Sequence, residues 1–176
     1  ISTEKISLLK RYCEAVQNAH KRISLTSARD ALRFWDRHIL DSLSMSVEIF
    51  KMAGIKQFRL IDIGSGNGVP VIVMGIVFPR CIFTSIESNN KKCGFIESFI
   101  LNNSINNIFV ICDRAEHISK KKWLCEEFDF ATARAIGNLN YAIDISMPFL
   151  KPGGILFVPR GTKNINIEYK NAFNIK

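Results

Sequence analysis

The segment Leu60-Ile61-Asp62-Ile63-Gly64-Ser65-Gly66-Asn67-Gly68-Val69-Pro70 sets an apolar run against a glycine-rich turn and a proline. The pattern predicts a strand that ends in a tight turn and opens a helix, with Pro70 in the helix's first turn. Backbone N–H groups and the positive end of the helix then face whatever lies beyond the strand tips, an arrangement suited to a nucleotide. Glycine also serves ordinary turns, so the segment alone is weak evidence. Glu87 strengthens it. It follows the next apolar run, 23 residues after Gly64, where a carboxylate can accept both hydroxyl protons of a ribose. Its ordinary alternative is an exposed acid at a strand end. A dinucleotide and S-adenosylmethionine both fit this geometry; the Gly-x-Gly-x-Gly form and the preceding Asp62 lean towards adenosylmethionine.

Arg134 stands just past a fourth apolar run, where folds of this kind place ligands; the plain alternative is a surface ion-pair partner. His38, near Trp35 and Asp41, reads equally as a structural histidine paired to a carboxylate or as an RNA contact. His20 and His117 have no metal-ligand spacing, so no metal is expected. Lys120-Lys121-Lys122 reads as a solvated face, and Trp123 beside it is expected to pack. The five cysteines are odd in number and widely spread, which argues against a disulfide framework or a Cys-x-x-Cys site and favours a reducing, cytoplasmic compartment.

The elements that position these residues follow from periodicity. Ile6, Leu9, Cys13 and Val16 recur at helical spacing, predicting a helix over 3–19. Leu32, Trp35, Ile39, Leu43 and Val47 predict a second, with Asp30 as its N-cap. Short β-rich runs at 59–63, 81–86, 108–112, 128–132 and 155–158 alternate with helical patterns at 70–78, 90–103, 115–124 and 138–150. That alternation predicts an α/β fold: a Rossmann-like, doubly wound, mostly parallel sheet with helices on both faces. Residues 1–50 form an N-terminal helical extension and 51–176 the Rossmann-like domain, as one compact unit. Lys151-Pro152-Gly153-Gly154 is expected to stop the last helix and launch the fifth strand. Few residues follow that strand. Either the tail supplies another strand or, as favoured here, C-terminal strands are missing and the fifth is an edge.

A chain of 176 residues that is 47% hydrophobic and 23% charged has room for one such core. Its longest nearly uncharged apolar stretch, Val69 to Phe78, is about half the length of a membrane-crossing helix, so no membrane partner is expected. The net charge of +8 is confined to the ends. Residues 1–40 carry Lys5, Lys10, Arg11, Lys21, Arg22, Arg29, Arg33 and Arg37 against four acids, residues 151–176 five bases against one acid, and the middle balances. Clustered positive charge is the footprint of a phosphate-backbone partner, with a merely solvated surface as the alternative.

Several ordered segments carry a resemblance. They are Ile23-Ser-Leu25-Thr-Ser-x-Arg29-Asp30, Arg37-His-Ile-Leu-Asp41-Ser42-Leu43, Asp62-Ile-Gly-Ser-Gly-x-Gly-x-Pro70, Asp113-Arg-Ala-Glu116, Thr132-Ala-Arg134-Ala and Leu150-Lys-Pro-Gly-Gly154. Over about residues 5–163 the chain resembles the RsmG (GidB) family of bacterial 16S rRNA guanine-N7 methyltransferases. The Arg-His-Ile-Leu-Asp-Ser and Thr-Ala-Arg-Ala segments are far more specific than the glycine turn. The resemblance implies a class I, S-adenosylmethionine-dependent methyltransferase with 16S rRNA or a small-subunit particle as partner. By matching positions, it implies that Gly64 and Val69 line the cofactor, that Ala115 and Glu116 flank its adenine, and that Arg134 is the cofactor-site arginine. No catalytic side chain is assigned. Guanine N7 presents an in-plane lone pair with no proton to lose, so methyl transfer needs alignment more than a base. Arg134 and Arg160 could offset charge developing on the base or hold phosphate. Val71 stands where the family has glycine, which would crowd the helix where it approaches the cofactor.

Two other readings compete. One is a catalytically lapsed or truncated RNA-binding domain, and the other, less favoured, is a nicotinamide-dependent oxidoreductase. Neither accounts for the ordered segments outside the glycine turn.

Overall fold

The computed structural model describes residues 1–20, 22–54, 56–160 and 163–168. Six strands form one sheet: β1 (Arg59–Ile63), β2 (Ile82–Glu87), β3 (Ile108–Cys112), β4 (Phe128–Ala133), β5 (Leu150–Arg160) and β6 (Lys163–Glu168). Their spatial order is β3-β2-β1-β4-β5-β6. The first five pair in parallel and β6 antiparallel to β5. The fifth strand is therefore not an edge: the tail contributes the sixth strand, correcting the expectation that the sheet stops at β5. Its alternation of Asn and Ile is the period-2 pattern that a strand with two different faces requires. Residues 169–176 lie outside the described residues, as do Lys21 and the side chain of Arg160.

Alternation along the strands separates two apolar layers. On one face Leu60, Phe83 and Phe130 pack with helices α1 (Thr3–His20), α3 (Leu40–Ala53), α4 (Val71–Val77) and α5 (Asn90–Asn102). On the other, Ile61, Ile63, Ala131 and Ala133 pack with α6 (Ala115–Ile118) and α7 (Leu139–Ser146). The doubly wound architecture stands as expected.

Several details differ. The predicted second helix is three pieces: α2 (Ala28–Leu32), a π-helical turn (Trp35–Ile39) and α3. Ser27, not Asp30, caps α2, its hydroxyl accepting from the Asp30 N–H; the Asp30 carboxylate instead accepts from the Ser27 hydroxyl and from Arg37. The π turn inserts one residue and so rotates the following face by about 100°. Beyond the turn Val47 is exposed, while Ser42, Met45, Ser46 and Ile49 are buried; Leu32, which precedes the turn, is also exposed. On α1, Ile6 is exposed and Tyr12 takes its place in the buried stripe. The predicted helix over 115–124 shrinks to α6 and a 3₁₀ turn at Lys122–Leu124, with Trp123 66% exposed rather than packed. Lys151–Gly154 lies inside β5 as a bulge against β4, not before the strand. A Cβ on Gly154 would sit 2.9 Å from the Lys151 carbonyl oxygen and 3.2 Å from that of Asp129, so glycine is what lets the strand bulge there. Finally, Cys93 and Cys112 form a disulfide between α5 and the end of β3, where the spread of cysteines had argued against one.

Candidate functional site

In a sheet of this order the chain winds outward in both directions from β1 and β4, which opens a crevice at their C-terminal ends. Two cavities lie there. One, of about 590 Å³, is lined by Leu25, Thr26, His38, the turn Gly64–Asn67, Val69, Glu87, Ser88, Lys92 and Arg134–Ile136. The other, of about 120 Å³, is lined by Ile63, Ile86, Asp113–Glu116, Tyr141 and Ile145 and shares Gly64, Glu87, Ser88 and Ile136 with the first. Those four shared residues make one continuous cleft, and all six residues expected at the cofactor line it.

Each is held by local chemistry. Gly64 has φ +70°, a conformation that favours glycine, and its N–H donates to the Ile86 carbonyl at 2.8 Å. Glu87, at the tip of β2, is 8% exposed; one oxygen accepts the Gly66 N–H at 2.7 Å and the other the Asn89 N–H at 2.9 Å. Each carboxylate oxygen keeps a second acceptor site. Asn89 caps α5, its side chain accepting from Lys91 and Lys92 N–H, which fixes the loop that carries Glu87. Ala115 and Glu116 begin α6, and Glu116 accepts from the Tyr141 hydroxyl, tying α6 to α7. Val71 is fully buried in the core and does not line the cleft, so the expected crowding by this residue is absent; Val69 is the valine on the wall.

Asp62 lies on the same strand face as Leu60. Its Oδ1 accepts from the Thr132 hydroxyl at 2.7 Å, and its Oδ2 is buried with no hydrogen-bond partner among the described residues. Burial pushes its pKa up to about 6, against the lowering effect of the Thr132 hydrogen bond, the neighbouring Ser65 hydroxyl and the Arg134 charge.

Two contributors depart from the sequence reading, Tyr12 because it was not singled out and His38 because it was given other partners. Tyr12 of α1 donates to the Asn67 carbonyl at 2.7 Å, so the N-terminal helix braces the glycine turn. Burial holds the Tyr12 pKa well above its ordinary value, keeping the hydroxyl a donor. An aromatic at helical spacing was the only signal, and it reads as core. His38 is the second: its partner is Arg134, whose Nη1 lies 3.0 Å from His38 Nδ1, rather than a carboxylate.

Among the described residues no group of three or more His, Cys, Asp or Glu is placed to hold a metal ion, and no helix is long and apolar enough to cross a membrane.

The fold is that of adenosylmethionine-dependent methyltransferases. A putative S-adenosyl-L-methionine-dependent methyltransferase from Methanococcus maripaludis superposes with a TM-score of 0.57 at 17% identity, over 85% of this chain and 62% of its own. Coclaurine N-methyltransferase bound to N-methylheliamine and SAH superposes at 0.54 and 16% identity, over 76% of this chain and 36% of its own. Sequence relatives are more specific. The ribosomal RNA small subunit methyltransferase G of Leuconostoc citreum is 30% identical over 161 residues, covering 92% of this chain and 67% of the relative. Those of Sorangium cellulosum and Caldicellulosiruptor bescii are 32% and 34% identical, each over 65% of its own length and 90% and 88% of this chain. The chain thus spans about two thirds of the length of these relatives. The family model for GidB, rRNA small subunit methyltransferase G, matches residues 5–174. On that match and those relatives, the chain belongs to the GidB family of small-subunit rRNA methyltransferases.

Proposed function

We propose that this chain binds S-adenosylmethionine in the cleft at the ends of β1, β2 and β4 and methylates N7 of a guanine in 16S rRNA, as naked rRNA or in a small-subunit particle, in the cytoplasm. The observation that carries the reading is the continuity of the two cavities through Gly64, Glu87, Ser88 and Ile136. One compartment suits a purine and the other its ribose and amino-acid chain. The residues fit that group. The positive-φ turn at Gly64 admits close approach of a ligand to backbone, and Glu87 is held by two N–H groups yet keeps an acceptor site on each oxygen.

The assignments follow. Glu87 accepts the ribose hydroxyls, while Ala115 and Glu116 wall the adenine. Gly64 and Val69 shape the floor, and Arg134 faces the amino-acid end. When bound, the cofactor supplies an electrophilic methyl group. The protein's part is alignment, because guanine N7 attacks with an existing lone pair and no proton must be removed. Methyl transfer leaves positive charge on the base and a neutral thioether, so no side chain here needs to act as acid or base. The basic N-terminal residues, including the exposed Lys10, Arg11 and Arg22, supply phosphate contacts. The GidB match and the relatives named for rRNA methylation support this reading over a nicotinamide enzyme.

Calorimetric titration with S-adenosylmethionine and, separately, NAD tests the cofactor. Binding of adenosylmethionine alone is expected, with Glu87→Ala weakening it by about 1–3 kcal/mol through loss of charge-assisted hydrogen bonds. Binding of NAD alone would overturn the assignment. Mapping of N7-methylguanine on 16S rRNA and on small-subunit particles then tests the substrate.

A further inference from the structure

Arg134 is in no ion pair among the described residues. Its hydrogen-bond partner is an imidazole, and the chemistry of that pair has a single solution. A guanidinium has no acceptor, so it donates, and His38 Nδ1 must carry a lone pair. The one proton of the neutral ring is then on Nε2, which is buried without a partner among the described residues. The ring is set by its backbone and its neighbours. It sits on the π-helical turn, an element that recurs at functional sites, and packs 5.0 Å from the Phe34 ring.

The groups that face His38 are Arg134 from the end of β4, Asp30 from α2, Arg37 from its own turn and Asp41 from α3. Burial first, then Arg134, pushes its pKa below the ordinary imidazole value, against the pull of Asp30 and Asp41. At neutral pH the ring is therefore an acceptor and not a second cation. A carboxylate in its place would also orient Arg134 but would cancel the guanidinium's charge. An imidazole orients it and leaves the charge available to a ligand in the cavity that both residues line.

We propose that His38 is a positioning residue: through Nδ1 it fixes the Arg134 guanidinium, which no ion pair engages among the described residues, to receive the carboxylate at the amino-acid end of the cofactor. This rests on the cleft being the adenosylmethionine site. Protonation of His38 removes the acceptor lone pair and sets two cations against each other, so carboxylate binding weakens as pH falls through the histidine's lowered pKa.

The test compares two probes by calorimetry between pH 5 and 8. S-adenosylhomocysteine carries the carboxylate, whereas 5′-methylthioadenosine has the same nucleoside and no amino-acid end. His38→Ala is expected to weaken S-adenosylhomocysteine at least fivefold at pH 7.5 while leaving methylthioadenosine within twofold of wild type. The latter also reports that the variant is folded. His38→Asn, whose side-chain oxygen can take the place of Nδ1 without titrating, is expected to restore affinity to within about threefold and to lose the histidine-dependent acid limb. Equal weakening of both probes in His38→Ala, unchanged S-adenosylhomocysteine affinity, or an acid limb that persists unaltered in His38→Asn would each overturn the inference alone. Failure of the wild-type chain to bind either probe would overturn the cofactor reading and this inference together.

Discussion

A Cβ placed on Gly64 would lie 2.5 Å from Cγ2 of Ile136, in a backbone conformation that L side chains rarely adopt. Ile136 lines both compartments of the cleft, so the methyl would strain the turn and move a cavity wall at once. Gly64→Ala is expected to destabilise the fold by about 1–3 kcal/mol and to weaken adenosylmethionine at least tenfold, as thermal denaturation and calorimetry would show. Asp62 makes a pH prediction with a definite sign. Its carboxyl is raised from the unfolded value of 3.8 to about 6, so between those values the unfolded chain releases a proton that the folded chain retains. Stability contributed by this group is present below pH 4 and is lost as pH rises to 6. At about 1.4 kcal/mol per unit, with the wild-type loss only partly complete at each end of the window, Asp62→Asn should gain about 2 kcal/mol relative to wild type between pH 4 and 6. Urea denaturation of both proteins across that range measures it, and a constant difference would show that Asp62 is not the group responsible. Gly64, Asp62 and Glu87 were legible because a glycine-rich turn and the strand ends beside it stand out locally in the sequence. The His38–Arg134 pair was not, since 96 residues separate its members and only the packing of the π turn against the end of β4 joins them.

At the scale of elements, the disulfide joins the first turn of α5 to the tip of β3, in register with Glu87 on β2. It therefore ties the loop that follows Glu87 to the segment that leads into α6. Closing a loop of 19 residues constrains the unfolded chain by about 3 kcal/mol, a shift of roughly 6–12 °C in Tm for a domain of this size. The oxidised wild type is expected to melt higher than the Cys93→Ser, Cys112→Ser double variant by that margin and to fall to the same level in dithiothreitol. Reductant-insensitive melting would show the pair is not linked in solution. Spacing could not reveal this bond, because cysteines 19 residues apart match no local motif; parallel pairing of β2 with β3 and docking of α5 beside them bring the two together. The broken second helix has the same origin. Its apolar period is uniform in sequence, so nothing local marks the π turn at Trp35–Ile39.

Across the whole molecule, positive charge is concentrated at the chain ends while the middle balances. If the N-terminal helices carry the phosphate-facing surface, replacing exposed Lys10, Arg11 and Arg22 together with Gln should reduce the slope of log affinity for 16S rRNA against log salt by about 2 to 3, at roughly 0.7–0.9 per phosphate contact. Cofactor affinity should not change, since none of the three lines the cleft. An unaltered slope would move the RNA-binding surface elsewhere. Fluorescence anisotropy at 50–300 mM salt is sufficient to measure it.

Local chemistry was enough to establish the alternation of strands and helices, the parallel sheet, the glycine turn after β1 and the carboxylate at the end of β2. Each depends on periodicity or on residues close together in the chain, and the ordered family segments extended that reading to Ala115, Glu116 and Arg134. Tertiary structure alone decided the rest: that the tail adds an antiparallel strand to β5, that Lys151–Gly154 bulges within a strand, that Tyr12 braces the glycine turn, and that His38 meets Arg134. These are contacts between distant segments, set by which faces the core buries and where the sheet brings its tips together, and no local period encodes them.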